Sequence, residues 1–171
     1  MASFHVTYGE TSFAMATSDT SDRAGVIAFP PLLFGSTFLL GLLLRWLFPT
    51  PLLHRPLNLL LGGTLLIIGL LVLRMAFREM TRAHTTIHPG GSTTAIVSTG
   101  IYAYTRNPMY LAVTVLYVGG CVVLNAWWGL LLLIPLLMVV QKGVIEREER
   151  YLTRKFGDEY VRYRARVRRW L

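Results

Sequence analysis

Four apolar stretches alternate with polar segments along this chain of 171 residues. The first two cover residues 26–48 and 57–75, and the last two cover residues 109–124 and 126–140. A helix of about 20 apolar residues is long enough to cross the ~30 Å hydrocarbon core of a bilayer. The pattern therefore predicts an all-α integral membrane protein with about four transmembrane helices.

The polar segments between these stretches predict how the helices connect. Three prolines interrupt any helix between the first two stretches, which are therefore predicted to form a helical hairpin: Pro49, Pro51 and Pro56. Asn125 alone separates the last two stretches, and the adjacent Trp127 and Trp128 are typical of a membrane interface. Because these last two stretches are short, we expect their helices to extend past the apolar residues, the fourth into residues 144–155.

The C-terminal tail is predicted to contain an amphipathic helix. Gly157 is suited to end the preceding helix, and Asp158 is suited to cap the next one. Tyr160, Tyr163 and Val167 then follow helical spacing among arginines. Such a helix is expected to lie on the membrane surface, with Trp170 as its anchor.

Charge is distributed unevenly along the chain. The formal net charge is +8, yet 10 of the 17 lysines and arginines lie at or beyond Lys142, and hydrophobic residues make up 53% of the chain. This composition argues against a nucleic-acid-binding domain and favours contact with a lipid bilayer. Because basic segments stay on the cytoplasmic side of membranes, both termini are predicted to be cytoplasmic.

Two polar clusters carry the residues suited to chemistry. The first is GIYAYTRNPMY at residues 100–110, at the mouth of the third predicted span, and the second contains Glu146, Glu148 and Glu149 just beyond the fourth. Both clusters emerge on the same side in a four-span arrangement. A pocket combining a carboxylate, tyrosine faces and an amide suits a ligand that carries cationic groups and a ring system.

The two clusters together resemble the signature of the isoprenylcysteine carboxyl methyltransferase and phospholipid methyltransferase superfamily. The resemblance extends over residues 98–170 and includes the EE-x-x-L-x-x-x-FG-x-EY-x-x-Y pattern at residues 148–163. It implies an integral membrane enzyme that binds S-adenosylmethionine on the cytoplasmic side and methylates a lipid or small hydrophobic acceptor. Together with the hydropathy pattern, it predicts a flexible polar tail at residues 1–23, a transmembrane hairpin at 24–76 and a methyltransferase core at 77–171.

Carried over residue by residue, the resemblance implies seven cofactor-binding positions: Tyr102, Ala103, Tyr104, Thr105, Asn107, Tyr110 and Glu148. Two positions depart from the family's pattern. Asn107 stands where the family often has histidine, and Val144 stands where the prenylcysteine enzymes place an arginine for the substrate carboxylate. The departure at Asn107 bears on substrate and proton handling, and the departure at Val144 makes prenylcysteine a disfavoured acceptor.

Methyl transfer from a sulfonium requires positioning rather than a nucleophilic side chain. For an amine acceptor, Glu149 or Glu146 is the candidate base, whereas a carboxylate acceptor would favour Arg106 or Arg147 nearby. No metal site is predicted, because Pro89 and two glycines follow His88 and disfavour a helix that would align it with His84.

Two other functions remain open at this stage. A sterol-reductase-like enzyme would share a related C-terminal motif and use NADPH, although this chain is short for its larger helical body. A small transporter or partner subunit would be the non-enzymatic alternative, but its usual mid-membrane acidic residue is missing from the predicted spans. The oligomeric state is equally open.

Overall fold

The computed structural model describes residues 29–51, 53–85 and 93–171. Its helices are α1 (Pro30–Leu47), α2 (Leu57–Arg82), a 3-10 turn (Gly100–Ala103), α3 (Pro108–Val123), α4 (Trp127–Val140), a π-helical turn (Gln141–Ile145), α5 (Glu146–Phe156) and α6 (Asp158–Arg166). The predicted polar tail at residues 1–23, the first residues of the first apolar stretch and His88 lie outside the described residues. The described part is all-α, as predicted.

Within the described residues, three helical segments are long and apolar enough to cross a membrane: Pro30–Leu47, Leu57–Arg82 and Trp127–Phe156. The third predicted span, α3, is apolar but has only 16 residues. Its N-terminal extension was expected but does not occur, because Pro108 occupies its first position and helices rarely continue backward through a proline.

The four apolar helices pack as two pairs, α1 with α4 and α2 with α3. Each of the first two helices thus packs mainly against a helix from the second half of the chain, and the predicted hairpin of α1 and α2 stays a prediction. Glycines allow the close approach in each pair. A Cβ on Gly62 would lie 2.6 Å from the backbone nitrogen of Val123, and a Cβ on Gly41 would lie 2.6 Å from the Cα of Gly129.

The turn between α3 and α4 holds the preceding connection in place. Asn125 adopts a positive φ of 55°, a conformation that asparagine tolerates better than most residues. Its side chain accepts a hydrogen bond from the backbone N–H of Leu53 (2.9 Å) and donates one to the carbonyl of the same residue (2.7 Å). Trp128 also donates to the carbonyl of Phe48, across 3.0 Å. One short turn thus joins both helix pairs at this end of the bundle.

At the opposite end, α2 continues to Arg82 and is longer than the apolar stretch that predicted it. The predicted apolar stretch ends at residue 75, and the helix continues through Arg78. Arg82 and Glu79 form an ion pair across 3.1 Å with i, i+3 spacing, which is compatible with a helical surface. Hydropathy predicts only the part of a helix that lies in the hydrocarbon core. It therefore does not show where a helix ends once its residues become polar.

The fourth helix runs on beyond its apolar part, as expected. The π-helical turn Gln141–Ile145 connects α4 to α5 without a break in the helix. Five consecutive charged residues then begin α5, so the hydrocarbon-compatible part ends before them: Glu146, Arg147, Glu148, Glu149 and Arg150. The turn therefore carries the chain from an apolar span into a charged segment.

The C-terminal helix follows the predicted break but differs in detail. Gly157 ends α5 with a φ of 54°, and it also occupies the N-cap position of α6 that Asp158 was predicted to fill. Trp170 was predicted as a membrane anchor. The structure instead turns it inward, where it packs against the hydrophobic core and donates a hydrogen bond to the side chain of Gln141 (3.3 Å).

Candidate functional site

A cavity of about 610 Å³ lies at the end of the bundle where α1 begins and α2 ends. Its wall combines residues from the starts of α1 and α3, the end of α2, residues 93–97, α5 and α6. Its lining includes apolar side chains, among them Phe29, Phe34, Phe77 and Met80. Tyrosines, two glutamates and an arginine also belong to the lining. The volume lies within the range of small-molecule sites.

Tyr110 and Glu148 join the two sequence clusters across this cavity. The hydroxyl of Tyr110, in the first turn of α3, donates a hydrogen bond to Oε1 of Glu148 across 2.9 Å. Burial raises the pKa of the Glu148 carboxyl to about 7, although the Tyr110 hydrogen bond acts in the opposite direction. The site therefore holds a carboxyl group that changes charge near neutrality.

Three further tyrosines, Tyr102, Tyr160 and Tyr163, form the wall beside this pair. Tyr163 donates its hydroxyl hydrogen to the carbonyl of Tyr102 (2.8 Å), and the rings of Tyr160 and Tyr163 lie 6.0 Å apart. Burial raises the pKa of the Tyr160 hydroxyl to about 12. These hydroxyls are consequently neutral at physiological pH, and their rings offer faces that attract cations.

The tyrosine loop, residues 100–107, is attached to the end of α2 at its first residue. Gly100 has a φ of 57°, and a Cβ there would lie 2.5 Å from Cδ of Glu79. The carboxylate of Glu79 also accepts a hydrogen bond from the hydroxyl of Thr99 (2.8 Å). The positive φ therefore favours glycine here, and a side chain would also displace the Glu79 carboxylate.

Glu149, which lines the cavity, lies at the centre of a charge cluster. Arg169 donates to both of its carboxylate oxygens, from Nε (3.0 Å) and Nη2 (2.8 Å). Nη1 of Arg106 lies 3.3 Å from Oε1 of the same carboxylate. Nε and Nη1 of Arg106 are nonetheless buried without a hydrogen-bond acceptor. Two guanidinium groups thus share one carboxylate.

The structure brings four of the seven predicted cofactor residues to the cavity: Tyr102, Asn107, Tyr110 and Glu148. The other three predicted residues, Ala103, Tyr104 and Thr105, are not part of its lining. The 3-10 turn directs Tyr102 inward, and the side chain of Tyr104 is 77% exposed. Cofactor contacts by these three residues stay a prediction.

Asn107 and Thr105 contact the end of the chain as well. The Asn107 amide donates to the carbonyl of Arg169 (3.0 Å), and the Thr105 hydroxyl donates to the same oxygen (3.2 Å). The backbone N–H of Arg106 donates to the carbonyl of Arg168 (2.9 Å). The amide that the resemblance assigns to the cofactor therefore also holds the C-terminal residues against the tyrosine loop.

The predicted catalytic residues occupy different environments. Arg106 and Glu149 line the cavity, whereas Arg147 lies outside its lining. Hydrogen bonds from Arg169 occupy both Glu149 oxygens, so an acceptor proton would have to compete with them. Glu146, the other candidate base, lies 3.7 Å from Nη1 of Arg169. The roles of these residues in catalysis stay predictions, and the geometry favours anchoring for Glu149.

Sequence reasoning missed three contributors to the site. Tyr160 and Tyr163 were interpreted as the apolar face of a membrane-surface helix, but they line the cavity. Their i, i+3 spacing after Gly157 was the available signal. Arg169 had no such signal, because it is one of five arginines between residues 162 and 169 and only its tertiary contacts distinguish it.

A family model and two known proteins match parts of this chain. The family model described as phospholipid methyltransferase matches residues 57–159, which is more than half of the chain. An uncharacterised protein of Haemophilus influenzae is 52% identical over 46 residues, which are 27% of this chain and 68% of that protein.

A protein-S-isoprenylcysteine O-methyltransferase of Schizosaccharomyces pombe is 36% identical over 72 residues. The match covers 42% of this chain but only 30% of that protein, so less than a third of the relative's length is compared. The resemblance recognised in the sequence is confirmed by these matches. With its apolar helices and its family-model match, the chain belongs to the phospholipid methyltransferase family and is an integral membrane methyltransferase.

Proposed function

We propose that this protein transfers a methyl group from S-adenosylmethionine to a lipid or small hydrophobic acceptor. The observation that carries the proposal is the Tyr110–Glu148 hydrogen bond in a cavity walled by tyrosines. S-adenosylmethionine carries a sulfonium and an ammonium group, which a carboxylate and aromatic faces attract. We place the cofactor beside Glu148, where an ionised carboxylate stabilises either cation.

Apolar residues in the lining of the same cavity support a hydrophobic acceptor. Phe29 at the start of α1 and Phe77 near the end of α2 are 46% and 37% exposed, and both line the cavity. An acyl or ring system placed along these side chains would put its polar end near the tyrosines. Positioning the acceptor atom in line with the methyl carbon and the sulfur accounts for most of the catalysis required.

We also propose that the cavity faces the cytoplasm. The start of α1 and the C-terminal helices lie at the cavity end of the bundle, together with most of the basic residues beyond Lys142. Two arginines belong to the opposite end of the bundle. Arg45 lies in the last turn of α1, and Arg55 lies in the connection that follows it. Fusion of a reporter that works only in the cytoplasm to the C-terminus should give an active reporter, and an active periplasmic reporter would reverse the orientation.

Ligand binding to the purified full chain in detergent tests the cofactor. We expect heat and thermal stabilisation with S-adenosylmethionine and S-adenosylhomocysteine, and neither with NADPH. Glu148→Gln should weaken binding of S-adenosylmethionine about tenfold or more, since hydrogen bonds to charged groups contribute ~1.5–3 kcal/mol. Glu159→Gln is the matched control, because Glu159 is exposed on α6 and lies outside the cavity lining.

Absence of binding by both adenosyl ligands would refute the proposal, and stabilisation by NADPH alone would favour a nicotinamide-dependent enzyme. The acceptor is tested separately, with membranes that contain the wild-type chain or Glu148→Gln and with S-adenosylmethionine radiolabelled in its methyl group. We expect label in the organic-solvent extract only with the wild type. Label confined to water-soluble products would contradict a lipophilic acceptor.

A further inference from the structure

The last five residues, 167–171, form a C-terminal strap that crosses the tyrosine loop. Arg168 makes a parallel β-bridge with Thr105, and its carbonyl accepts the backbone N–H of Arg106 across 2.9 Å. The next carbonyl, that of Arg169, accepts hydrogen bonds from the side chains of Thr105 and Asn107. The strap therefore accepts hydrogen bonds from one backbone N–H and two polar side chains of the tyrosine loop.

Side chains hold the same strap to the opposite wall of the cavity. The guanidinium of Arg169 donates two hydrogen bonds to Glu149 of α5, and Trp170 donates to Gln141 in the π-helical turn. Paired hydrogen bonds between arginine and carboxylate fix orientation as well as distance. The strap thus connects two parts of the cavity wall, the tyrosine loop and the α5 region, that are about forty residues apart in the chain.

Arg169 also competes with Arg106 for the carboxylate of Glu149. Both arginines contact Glu149, but the hydrogen bonds to this carboxylate come from Arg169, whereas Arg106 stays at ion-pair distance. The Arg106 side chain is only 10% exposed and lines the cavity. Loss of Arg169 would free Glu149 to pull Arg106 into its own paired geometry and would move the loop with it.

From these contacts we infer that Arg169 is a positioning residue of the methyltransferase site and that strap closure and cofactor binding stabilise each other. Arg169 acts through Glu149, Arg106 and Asn107, which orient the loop that carries Tyr102. The inference rests on the proposed binding of S-adenosylmethionine in the adjoining cavity. By linkage, a cofactor that binds better to the strapped site must hold the strap closed to the same extent.

Neighbouring arginines provide a matched pair of variants. Arg169→Gln and Arg168→Gln remove the same charge from adjacent positions, but the Arg168 side chain is exposed and only its backbone carbonyl contacts the loop. We expect Arg168→Gln to bind S-adenosylhomocysteine like the wild type and Arg169→Gln to bind it about tenfold more weakly. Arg169→Lys should recover part of the loss, because lysine keeps the charge without the paired geometry.

A second measurement needs no variant. Carboxypeptidase digestion of the full chain, followed by intact mass, reports how fast Trp170 is released after the exposed Leu171. We expect saturating S-adenosylhomocysteine to slow this release by about fivefold or more in the wild type, and the protection to disappear in Arg169→Gln.

Three outcomes are distinguishable. Equal affinities of Arg169→Gln and Arg168→Gln would overturn the inference. Ligand binding that leaves the release of Trp170 unchanged in the wild type would overturn it too, even where the glutamine variant does not fold. Failure of the wild type to bind the ligand at all would instead refute the proposed cofactor, and the inference with it.

Discussion

The hydroxyl oxygen of Tyr110 lies 2.9 Å from Oε1 of Glu148, so the first turn of α3 donates a hydrogen bond to the first turn of α5. The bond joins the two sequence clusters that identify the family, which are separated by nearly forty residues. It also orients the carboxyl group that we assign to the cofactor. The hydrogen bond therefore connects α3, which packs in the apolar bundle, to α5, the charged segment that carries the carboxyl group.

Removal of the Tyr110 hydroxyl should weaken cofactor binding without unfolding the protein. Tyr110→Phe keeps the ring in the cavity wall and deletes the donor to Glu148. We expect the dissociation constant of S-adenosylmethionine to rise about three- to tenfold, measured by calorimetry, since one charge-assisted hydrogen bond is lost. Tyr117→Phe is the control, because it removes a tyrosine hydroxyl that lies outside the cavity lining and donates to the carbonyl of Gly129. Equal effects of the two changes would contradict the role of Tyr110.

Cofactor binding should strengthen as the pH rises through neutrality. Burial raises the pKa of Glu148 to about 7, so its carboxyl is mostly neutral at about pH 6 and mostly ionised at about pH 8. The ionised form attracts a sulfonium cation, and the affinity should therefore increase about tenfold over this interval. Glu148→Gln should flatten the profile, and Tyr110→Phe should shift its midpoint upward. A profile unchanged in Glu148→Gln would exclude this carboxyl as the titrating group.

The stability of the ligand-free protein should fall, not rise, as the pH increases through the pKa of Glu148. Its carboxyl binds a proton more tightly in the folded chain than in the unfolded chain, where the pKa is near 4.5. The stabilising contribution of this group is fully present below that value and is lost as the pH rises through about 7. Thermal unfolding between these pH values should show a smaller decline for Glu148→Gln than for the wild type, and identical curves would contradict the raised pKa.

Gly100 should tolerate no side chain. Gly100→Ala would place a Cβ 2.5 Å from Cδ of Glu79 at a φ of 57°, so we expect a loss of roughly 1–3 kcal/mol in stability and weaker cofactor binding. Gly63→Ala is the matched control, because a Cβ there meets nothing within 4 Å. Thermal unfolding in detergent compares the two variants. A neutral Gly100→Ala would show that the loop start has room to move.

Asn125 should stabilise the bundle at the end opposite the cavity. Asn125→Gly keeps the residue free to adopt a φ of 55° but removes both hydrogen bonds to Leu53, at an expected loss of about 1–3 kcal/mol. Asn125→Ala should lose more, because alanine disfavours this conformation. Unfolding temperatures give the order, and cofactor affinity should remain near that of the wild type. A larger loss for glycine than for alanine would contradict this account.

Much of the fold and part of the site could be predicted from local pattern. Apolar length predicted the spans, and Gly157 predicted the break after α5. Convergence of Tyr102, Asn107, Tyr110 and Glu148 followed from placing both clusters at one end of four spans. The positions of Ala103, Tyr104 and Thr105 could not be predicted, because a short 3-10 turn decides which side chains face inward.

By itself, the sequence determined the membrane class, the family and the residues most suited to bind a cationic cofactor, since these depend on hydropathy, spacing and residue chemistry. Only the tertiary structure decided the pairing of α1 with α4 and the direction of α5. An extra residue in the π-helical turn rotates the following side chains by about 100° around the helix axis, which hydropathy does not record. The structure also distinguished Arg169 from its neighbours, because one guanidinium meets Glu149 only when the chain end folds back over the loop.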